Sequence, residues 1–332
     1  MAAGVVSARP AATPQGRRRR TLIENVHAWL FLLPAIIGLG VFEFFPAFFA
    51  FWISLFRWVI IQGPFVGLQN YADVLWGPRS EAFWKSLGTT FTYVLFTVPI
   101  EIAIALGIAV VLFRPLRARG FYRTAYFMPY ITSTVAAAIV FAWIFNPTYG
   151  LMNWALEGVG LPAQRWLDEP SGVIELIAGG LGLGVPAWAA GPSLALIGVC
   201  IFTVWHFIGY QVVIFMAGLG SISPEYYEAA RIDGATERQI FWKITMPLLS
   251  PTTFFVLIIA TIGALRAFNQ VFVMTRGGPL DTSRVVSLEI FRTFFQQGNF
   301  GIGSAMAFIL VGIILLLTFF QFRLVGRRVH YE

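Results

Sequence analysis

Charged side chains are scarce in this chain of 332 residues: Asp, Glu, Lys and Arg together make up 12 % of it, whereas apolar residues make up 58 %. Soluble domains average about 25 % charged residues. So few charges cannot cover a water-soluble globule that must also hide 33 Phe side chains. The composition therefore excludes a soluble domain and a disordered chain, and it predicts a protein whose solvent is lipid.

Residues that carry catalysis or bind metals are also few. One cysteine, Cys200, excludes an intrachain disulfide, and three histidines far apart in the chain do not indicate a metal site. The only two lysines each follow a Trp, so the chain has no Gly-Lys phosphate-binding loop and is not itself an ATPase. No Ser/His/Asp or HExxH arrangement indicates a membrane enzyme. We therefore expect no catalytic residue and no metal in this chain.

Long apolar runs supply the architecture. A membrane-spanning helix needs about 20 apolar residues. Six apolar runs reach this length. Residues 173–190 form another apolar stretch, but Glu175, Pro186 and four glycines interrupt it, so we predict no span there. The sequence predicts an all-α membrane protein in which residues 1–27 are a disordered basic arm, 28–325 the transmembrane domain and 326–332 a tail. The six predicted spans lie near residues 28–55, 88–113, 124–145, 194–219, 252–274 and 303–325.

The net charge of +7 is explained by membrane topology rather than by nucleic-acid binding. With six spans, 15 of the 23 Lys and Arg residues fall on one side, in 1–27, 114–123, 220–251 and the C-terminal end from Arg323. Loops rich in Lys and Arg stay in the cytoplasm. Both termini are therefore predicted to be cytoplasmic, and residues 146–193 form an outer insert.

The polar segment 220–251, between the fourth and fifth spans, contains signals for two short helices. Ser223 suits an N-cap and Pro224 the first helical position, while Gly234 suits a C-terminal stop. Thr236 with Gln239 predicts a capping box that starts a second helix. An ordinary amphipathic surface helix is one interpretation. The other is a rigid element that transmits force to both neighbouring spans.

The same segment resembles a known motif. Glu228-Ala229-Ala230, Asp233-Gly234-Ala235 and Ile244–Leu248 resemble the EAA loop of permease subunits of binding-protein-dependent ABC importers, with Met246 where Leu is usual. The similarity is to the carbohydrate group, which includes the maltose and glycerol-phosphate permeases. It covers nearly the whole chain from residue 28 onward, including the segments Gly67–Tyr71, Tyr122–Arg123, Met128–Tyr130, Phe145–Pro147, Phe268–Thr275 and Gly277–Pro279.

The resemblance implies a type I importer permease in the bacterial inner membrane. It implies a second homologous permease subunit, a cytoplasmic ATPase dimer that uses ATP and Mg, and a solute-binding protein that delivers a sugar or sugar-like solute. It also implies that the EAA loop contacts the ATPase, through the glutamate of the motif above all. The expected coupling residues are Glu225, Glu228, Ala229, Ala230, Arg231, Asp233, Gly234 and Ala235.

The predicted substrate path combines two arguments. Counting residues into each span at about 1.5 Å per residue puts several polar side chains near mid-membrane. The resemblance to the maltose permease adds aligned positions, although Ala264 and Ala267 replace polar residues there. Tyr130 and Thr134 are expected to share one helix face at i, i+4. The predicted path residues are Tyr130, Thr134, Trp205, His206, Gly209, Arg266, Asn269 and Gln270.

Several alternatives remain open at this point. Arg266 pairs with Glu101 inside the membrane, or both line the path. Trp205 and His206 pack against the partner permease, or they contact substrate. A secondary transporter driven by an ion gradient uses carboxylates inside the membrane, and Glu43 and Glu101 lie inside predicted spans. The Gly-rich insert 171–192 contacts the binding protein or the partner, or it lies at the membrane interface.

Overall fold

The computed structural model describes residues 14–114 and 117–326, and these are mostly helical. A short antiparallel hairpin of β1 (Phe56–Val59) and β2 (Ile61–Phe65) forms the one named sheet within those ranges. Five-residue π-helical stretches occur at Gly40–Phe44, Phe241–Thr245 and Arg292–Gln296. The α-helices, in chain order, are α1 (Pro14–Leu39), α2 (Phe45–Ser54), α3 (Gln69–Leu75), α4 (Ser80–Phe113), α5 (Arg119–Ile131), α6 (Thr134–Ile144), α7 (Leu151–Gly158), α8 (Val173–Gly180), α9 (Leu194–Ser221), α10 (Pro224–Ile232), α11 (Glu237–Ile240), α12 (Met246–Leu248), α13 (Ser250–Leu265), α14 (Asn269–Met274), α15 (Val286–Phe291) and α16 (Phe300–Leu324).

The chain divides into two units, with the boundary after Ile53. In the N-terminal unit, α1 already begins at Pro14, so residues 14–27 are helical where the sequence predicted a disordered arm. Proline fits the first turn of a helix and arginine is a good helix former, which explains the difference. Residues 1–13 of the predicted arm lie outside the described residues. From Asn25 to Ser54 the helical chain is long and apolar enough to cross a membrane.

Candidate spans in the second unit fall into two kinds. Helices α4, α9 and α16 are unbroken and long enough to span, and they match the predicted runs at 88–113, 194–219 and 303–325. Two further candidates are bent pairs: α5 with α6 at 97°, and residues 237–248 with α13 at 63°. The described residues therefore contain four long apolar helices, or six spans if each bent pair is one span. No membrane-length helix forms in 173–190, where α8 covers only eight residues.

The third predicted span, 124–145, is not one continuous helix. It breaks between Ile131 and Thr134, where Thr132 Oγ1 donates a hydrogen bond of 2.6 Å to the carbonyl of Pro129. The Thr132 backbone amide donates to the same carbonyl at 3.3 Å, so backbone and side chain of Thr132 together close the end of α5. The expected i, i+4 face of Tyr130 and Thr134 is therefore wrong, because the bend separates the two residues.

The fifth predicted span, 252–274, is also interrupted. Helix α13 ends at Leu265, residues 266–268 are not helical, and α14 starts at Asn269. Interrupted helices in membranes are tolerated where protein or a cavity surrounds the free backbone groups. Both interruptions bring side chains toward α9 or its neighbour α4: Tyr130 stacks on Tyr210, and Gln270 bonds to Tyr93.

Helix α9 is the centre of the second unit. It packs mainly against α4 and α5, and α4 also packs against α13. Fully buried aromatic side chains fill these contacts, among them Tyr93 on α4 and Phe202 and Phe215 on α9. The insert that contains α8 leaves and rejoins the bundle at one place, because Gly172 forms an isolated bridge with Ser193 at the start of α9.

Candidate functional site

A cavity of about 160 Å³ lies among α4, α5, α9, α13 and α14, all in the second unit. Its wall combines aromatic rings, amides and hydroxyls with aliphatic side chains, the composition typical of small-molecule sites. The lining residues are Tyr93, Glu101, Tyr130, Thr203, Phe207, Tyr210, Gln211, Ile214, Val256, Ile259, Ala260, Gly263, Ala264 and Gln270.

A chain of buried hydrogen bonds forms one part of the wall. Gln270 Nε2 donates to the Tyr93 hydroxyl at 2.9 Å, and that hydroxyl lies 2.8 Å from Thr203 Oγ1. Thr203 has a single hydroxyl proton, which it donates to the carbonyl of Val199 at 2.9 Å. Tyr93 is therefore the donor to Thr203. The chain of donors connects the interrupted fifth span to α4 and α9 and fixes the orientation of each group.

A carboxyl–amide pair forms a second part. Gln211 Nε2 donates to Glu101 Oε2 at 2.7 Å, and both residues are 4 % exposed. The amide oxygen of the same side chain, Gln211 Oε1, is buried and has no partner within the described part of the chain. A buried acceptor without a donor costs free energy until a donor arrives. The cavity wall thus holds one unsatisfied acceptor beside a carboxyl group.

Aromatic rings form a third part. The rings of Tyr130 and Tyr210 stack with centroids 4.9 Å apart and planes 22° apart, and Phe207 meets Tyr130 edge-on at 6.2 Å. Tyr130 lies at the end of α5, one residue before the break, so the bend holds its ring against α9. The wall therefore combines flat rings with amides and hydroxyls.

Of the eight predicted path residues, Tyr130 and Gln270 line the cavity. Thr134 and His206 instead bond to each other, with Thr134 Oγ1 and His206 Nε2 3.0 Å apart. His206 is 1 % exposed and stacks on Phe202, with ring centroids 5.4 Å apart. Thr134 is at the first position of α6, so this bond holds the bent span against α9.

The other predicted path residues lie outside the cavity wall. Trp205 is partly exposed and packs on Phe141, with ring centroids 4.8 Å apart. Gly209 lies where α9 crosses α5, and a Cβ there would collide with the backbone of Tyr126. Arg266 and Asn269 are both exposed at the break in the fifth span.

The structure decides between the two arrangements for Glu101. Its partner is the neutral amide of Gln211, and no ion pair among the described residues joins Arg266 to it. Glu101 lines the cavity, and Arg266 does not. Of the two alternatives, the ion pair between Glu101 and Arg266 is therefore not formed in this structure.

Sequence reasoning missed several wall residues, notably Tyr93, Thr203, Phe207, Tyr210 and Gln211. Each lies within an apolar run and looked like part of the helix core. Polar side chains in the middle of a membrane helix are rare and usually functional, which was the available signal for Thr203 and Gln211.

The EAA loop forms the helix–turn–helix that its capping signals predicted. Ser223 caps α10 by accepting from the Glu225 amide, and Pro224 is the first residue of α10. Gly234 ends the turn with φ +77°, in the left-handed region that favours glycine. Thr236 and Gln239 form both halves of a capping box, with 2.8 Å from the Thr236 amide to Gln239 Oε1.

Most side chains of helix α10 are exposed. It contains no buried residue, and Ile232 at its end is 86 % exposed. Glu225, Glu228 and Ala229 are exposed, as are Arg231, Asp233 and Gly234 around the turn, whereas Ala230 and Ala235 are half-buried. Arg231 pairs with Glu237 across the turn at 3.3 Å. The two helices thus form a compact exposed element joined to α9 and α13.

Known proteins that are similar to this chain in sequence or in fold are components of membrane transport systems. The family model for the inner membrane component of binding-protein-dependent transport systems matches residues 74–331. The trehalose/maltose transport permease MalF of Thermococcus litoralis is 33 % identical over 90 % of this chain and 93 % of its own length. The sn-glycerol-3-phosphate transport permease UgpA of Agrobacterium fabrum is 32 % identical over 93 % and 97 %. A chain of a bacterial ABC transporter that imports alginate has a TM-score of 0.73 at 22 % identity, covering 94 % of this chain and 99 % of its own.

Proposed function

The chain belongs to the family of inner membrane components of binding-protein-dependent transport systems, and we propose that it is the permease of an ATP-driven importer of a sugar or sugar-like solute. Together with a second, homologous permease it forms the translocation path. Relatives named for trehalose/maltose, lactose and glycerol-phosphate transport support this substrate class.

One observation carries the proposal: the cavity whose wall comes from five helices and both interrupted spans. A sugar needs hydrogen-bonding groups and flat apolar faces, and lipid-facing helices offer few of the former. Here Gln270, Tyr93 and Gln211 supply polar groups, while Tyr130 and Tyr210 supply stacked rings. We assign this cavity to the substrate path.

Helix α10 is the proposed contact with the ATPase. It contains no buried residue, its ends are capped within the chain, and it connects directly to α9 and, through α11 and α12, to α13. Displacement of such a rigid element moves the helices that form the cavity. In this proposal Glu225, Glu228, Ala229, Ala230, Arg231, Asp233, Gly234 and Ala235 form the docking surface.

The membrane orientation follows from the charges. We propose that both termini and the EAA loop face the cytoplasm, where an ATPase dimer binds and hydrolyses ATP with Mg. The distribution of Lys and Arg supports this orientation. The opposite face receives the solute-binding protein.

Purification and transport test the function together. An affinity-tagged chain, expressed with its neighbouring reading frames, should copurify with a second permease and an ATPase. In proteoliposomes the assembly should take up a sugar only when ATP and the binding protein are present. Tyr130→Ala should raise the half-saturating sugar concentration, whereas Tyr149→Ala, which changes an exposed tyrosine outside the cavity, should not. Uptake by this chain alone, driven by an ion gradient, would contradict the proposal.

A further inference from the structure

We propose that Gln211 and Glu101 form a hydroxyl-binding subsite that makes the cavity selective for uncharged carbohydrate over anionic solutes. The inference rests on the proposed function, since it concerns the substrate of the same cavity. It goes further by assigning the substrate's charge and naming two specificity-determining residues.

The first argument is the unsatisfied acceptor. Gln211 donates its Nε2 to Glu101, so the amide plane is fixed and Oε1 is directed elsewhere. Oε1 is buried without a partner although Gln211 lines the cavity. Nearly all buried polar atoms in proteins have partners, and a hydroxyl is the donor that a carbohydrate offers. In the proposed subsite, a sugar hydroxyl enters beside Gln211 and donates to Oε1.

The second argument is the absence of positive charge. None of the 14 lining residues in the described chain is Lys, Arg or His, and the one carboxyl group is Glu101. The Glu101 side chain is neutral when protonated and negative when ionised, so it supplies no positive charge. A phosphate or carboxylate held there would be desolvated without a counter-charge, which is strongly unfavourable. Arg266, the cation in the nearby break, is exposed and outside the wall.

The proteins similar to this chain include some named for neutral solutes and some named for anionic ones. UgpA is named for sn-glycerol 3-phosphate, and the alginate transporter for an acidic polysaccharide, whereas the trehalose/maltose and lactose permeases are named for neutral sugars. The subsite predicts that this chain functions with the neutral group.

The experiment uses the complete transporter in proteoliposomes with its binding protein. Maltose, trehalose and lactose are the neutral probes; sn-glycerol 3-phosphate and digalacturonate are the anionic ones. The affinity of the binding protein for each probe is measured separately, so that uptake can be compared at equal occupancy. We expect uptake of at least one neutral probe at a rate tenfold or more above either anionic probe.

Gln211→Met, which keeps the volume and removes the amide, should raise the half-saturating concentration of the transported neutral probe by roughly tenfold, as expected for one lost hydrogen bond in a buried site. The matched control is Gln321→Met. Gln321 also donates to a neighbouring helix, to Thr261 Oγ1 at 3.0 Å, and also has a buried Oε1 without a partner, but it does not line the cavity. The control should leave the half-saturating concentration unchanged.

Equal or faster uptake of an anionic probe by the wild-type transporter would overturn the inference and leave the importer function intact. So would wild-type kinetics in Gln211→Met. Failure to take up any carbohydrate, with no ATPase in the purified assembly, would overturn both proposals. If Gln211→Met does not assemble, the wild-type comparison of neutral and anionic probes decides the question alone.

Discussion

The EAA loop and the cavity are held together in opposite ways. In the loop, the capping bonds and the ion pair join near neighbours in sequence: Thr236 to Gln239, and Arg231 to Glu237. These side chains are exposed. In the cavity, bonds join residues 110 and 177 positions apart, Glu101 to Gln211 and Tyr93 to Gln270, and all four are buried.

This difference has a mechanical consequence. The loop keeps its shape through its own caps, so it can move as a unit while the rest of the bundle rearranges. The cavity's shape depends on the relative positions of α4, α9 and α14, so movement of α9 or of the interrupted fifth span changes its polar wall. In the proposed transport cycle, the loop transmits movement and the cavity changes shape in response.

The largest effect is expected from Glu228→Ala. If Glu228 enters a partly desolvated interface with a basic residue of the ATPase, removing it costs roughly 2–5 kcal/mol of association. Sugar uptake and copurified ATPase should both be lost while the protein still inserts. Glu157→Ala, an exposed glutamate of α7, is the control and should behave as wild type. Normal sugar-stimulated ATP hydrolysis in Glu228→Ala would show that α10 is only a surface helix.

Tyr93→Phe tests the cavity's long-range bonds. It deletes the hydroxyl that receives Gln270 and donates to Thr203, leaving a buried amide donor without its acceptor. The expected loss is about 1–3 kcal/mol of stability, seen as a lower Tm of the purified complex. Tyr149→Phe, at a tyrosine that is 73 % exposed, should leave the Tm unchanged. Equal melting of the two variants would mean that the buried chain contributes nothing.

Gly234→Val tests the loop's backbone. A side chain in the left-handed region costs about 1–2 kcal/mol per residue. Gly160→Val is a matched control, because Gly160 has φ +80° and, like Gly234, no atom within 4 Å of an added Cβ. Both variants should lose similar stability, but only Gly234→Val should uncouple ATP hydrolysis from uptake. Equal uptake by Gly234→Val and Gly160→Val would show that the turn at Gly234 has no role in coupling.

The smallest effect is expected from the Arg231–Glu237 pair. Both side chains are more than half exposed, and exposed pairs contribute about 0.2–1 kcal/mol. A double-mutant cycle with Arg231→Ala and Glu237→Ala, measured by thermal unfolding, should give a coupling energy in that range that falls as salt rises. A salt-independent coupling of several kcal/mol would show that the turn is buried in the assembled transporter.

The same contrast explains what the sequence could predict. Ser223, Gly234 and the Thr236–Gln239 box were predictable because each signal acts within a few residues. Six apolar runs were also readable, since length and hydropathy are local. The bend at Thr132 was not, because both halves of the run are apolar. The sequence does contain one local signal for the bend, the polar residues 132–134 that follow Pro129.

Cavity residues were harder to predict for a related reason. Tyr130 and Gln270 were found, but Tyr93 and Gln211 were not, since nothing near them in sequence indicates that α4 and α9 meet there. His206 and Thr134 were predicted to line the path, yet they bond to each other and do not line the cavity. Distances along separate helices cannot show which side chains converge.

Substrate protection of a single cysteine is the most direct test of the central claim that this cavity holds the transported solute. Cys200 is buried and is the one cysteine of the chain, and Cys200→Ala removes it. Adding Tyr130→Cys to that variant places a single thiol in the cavity wall. The labelling rate with a water-soluble maleimide is measured in the reconstituted transporter, with and without the sugar that it imports. If the cavity holds the solute, the sugar should slow labelling severalfold in a transporter that retains uptake. An unchanged labelling rate at a saturating sugar concentration, with uptake retained, would contradict it.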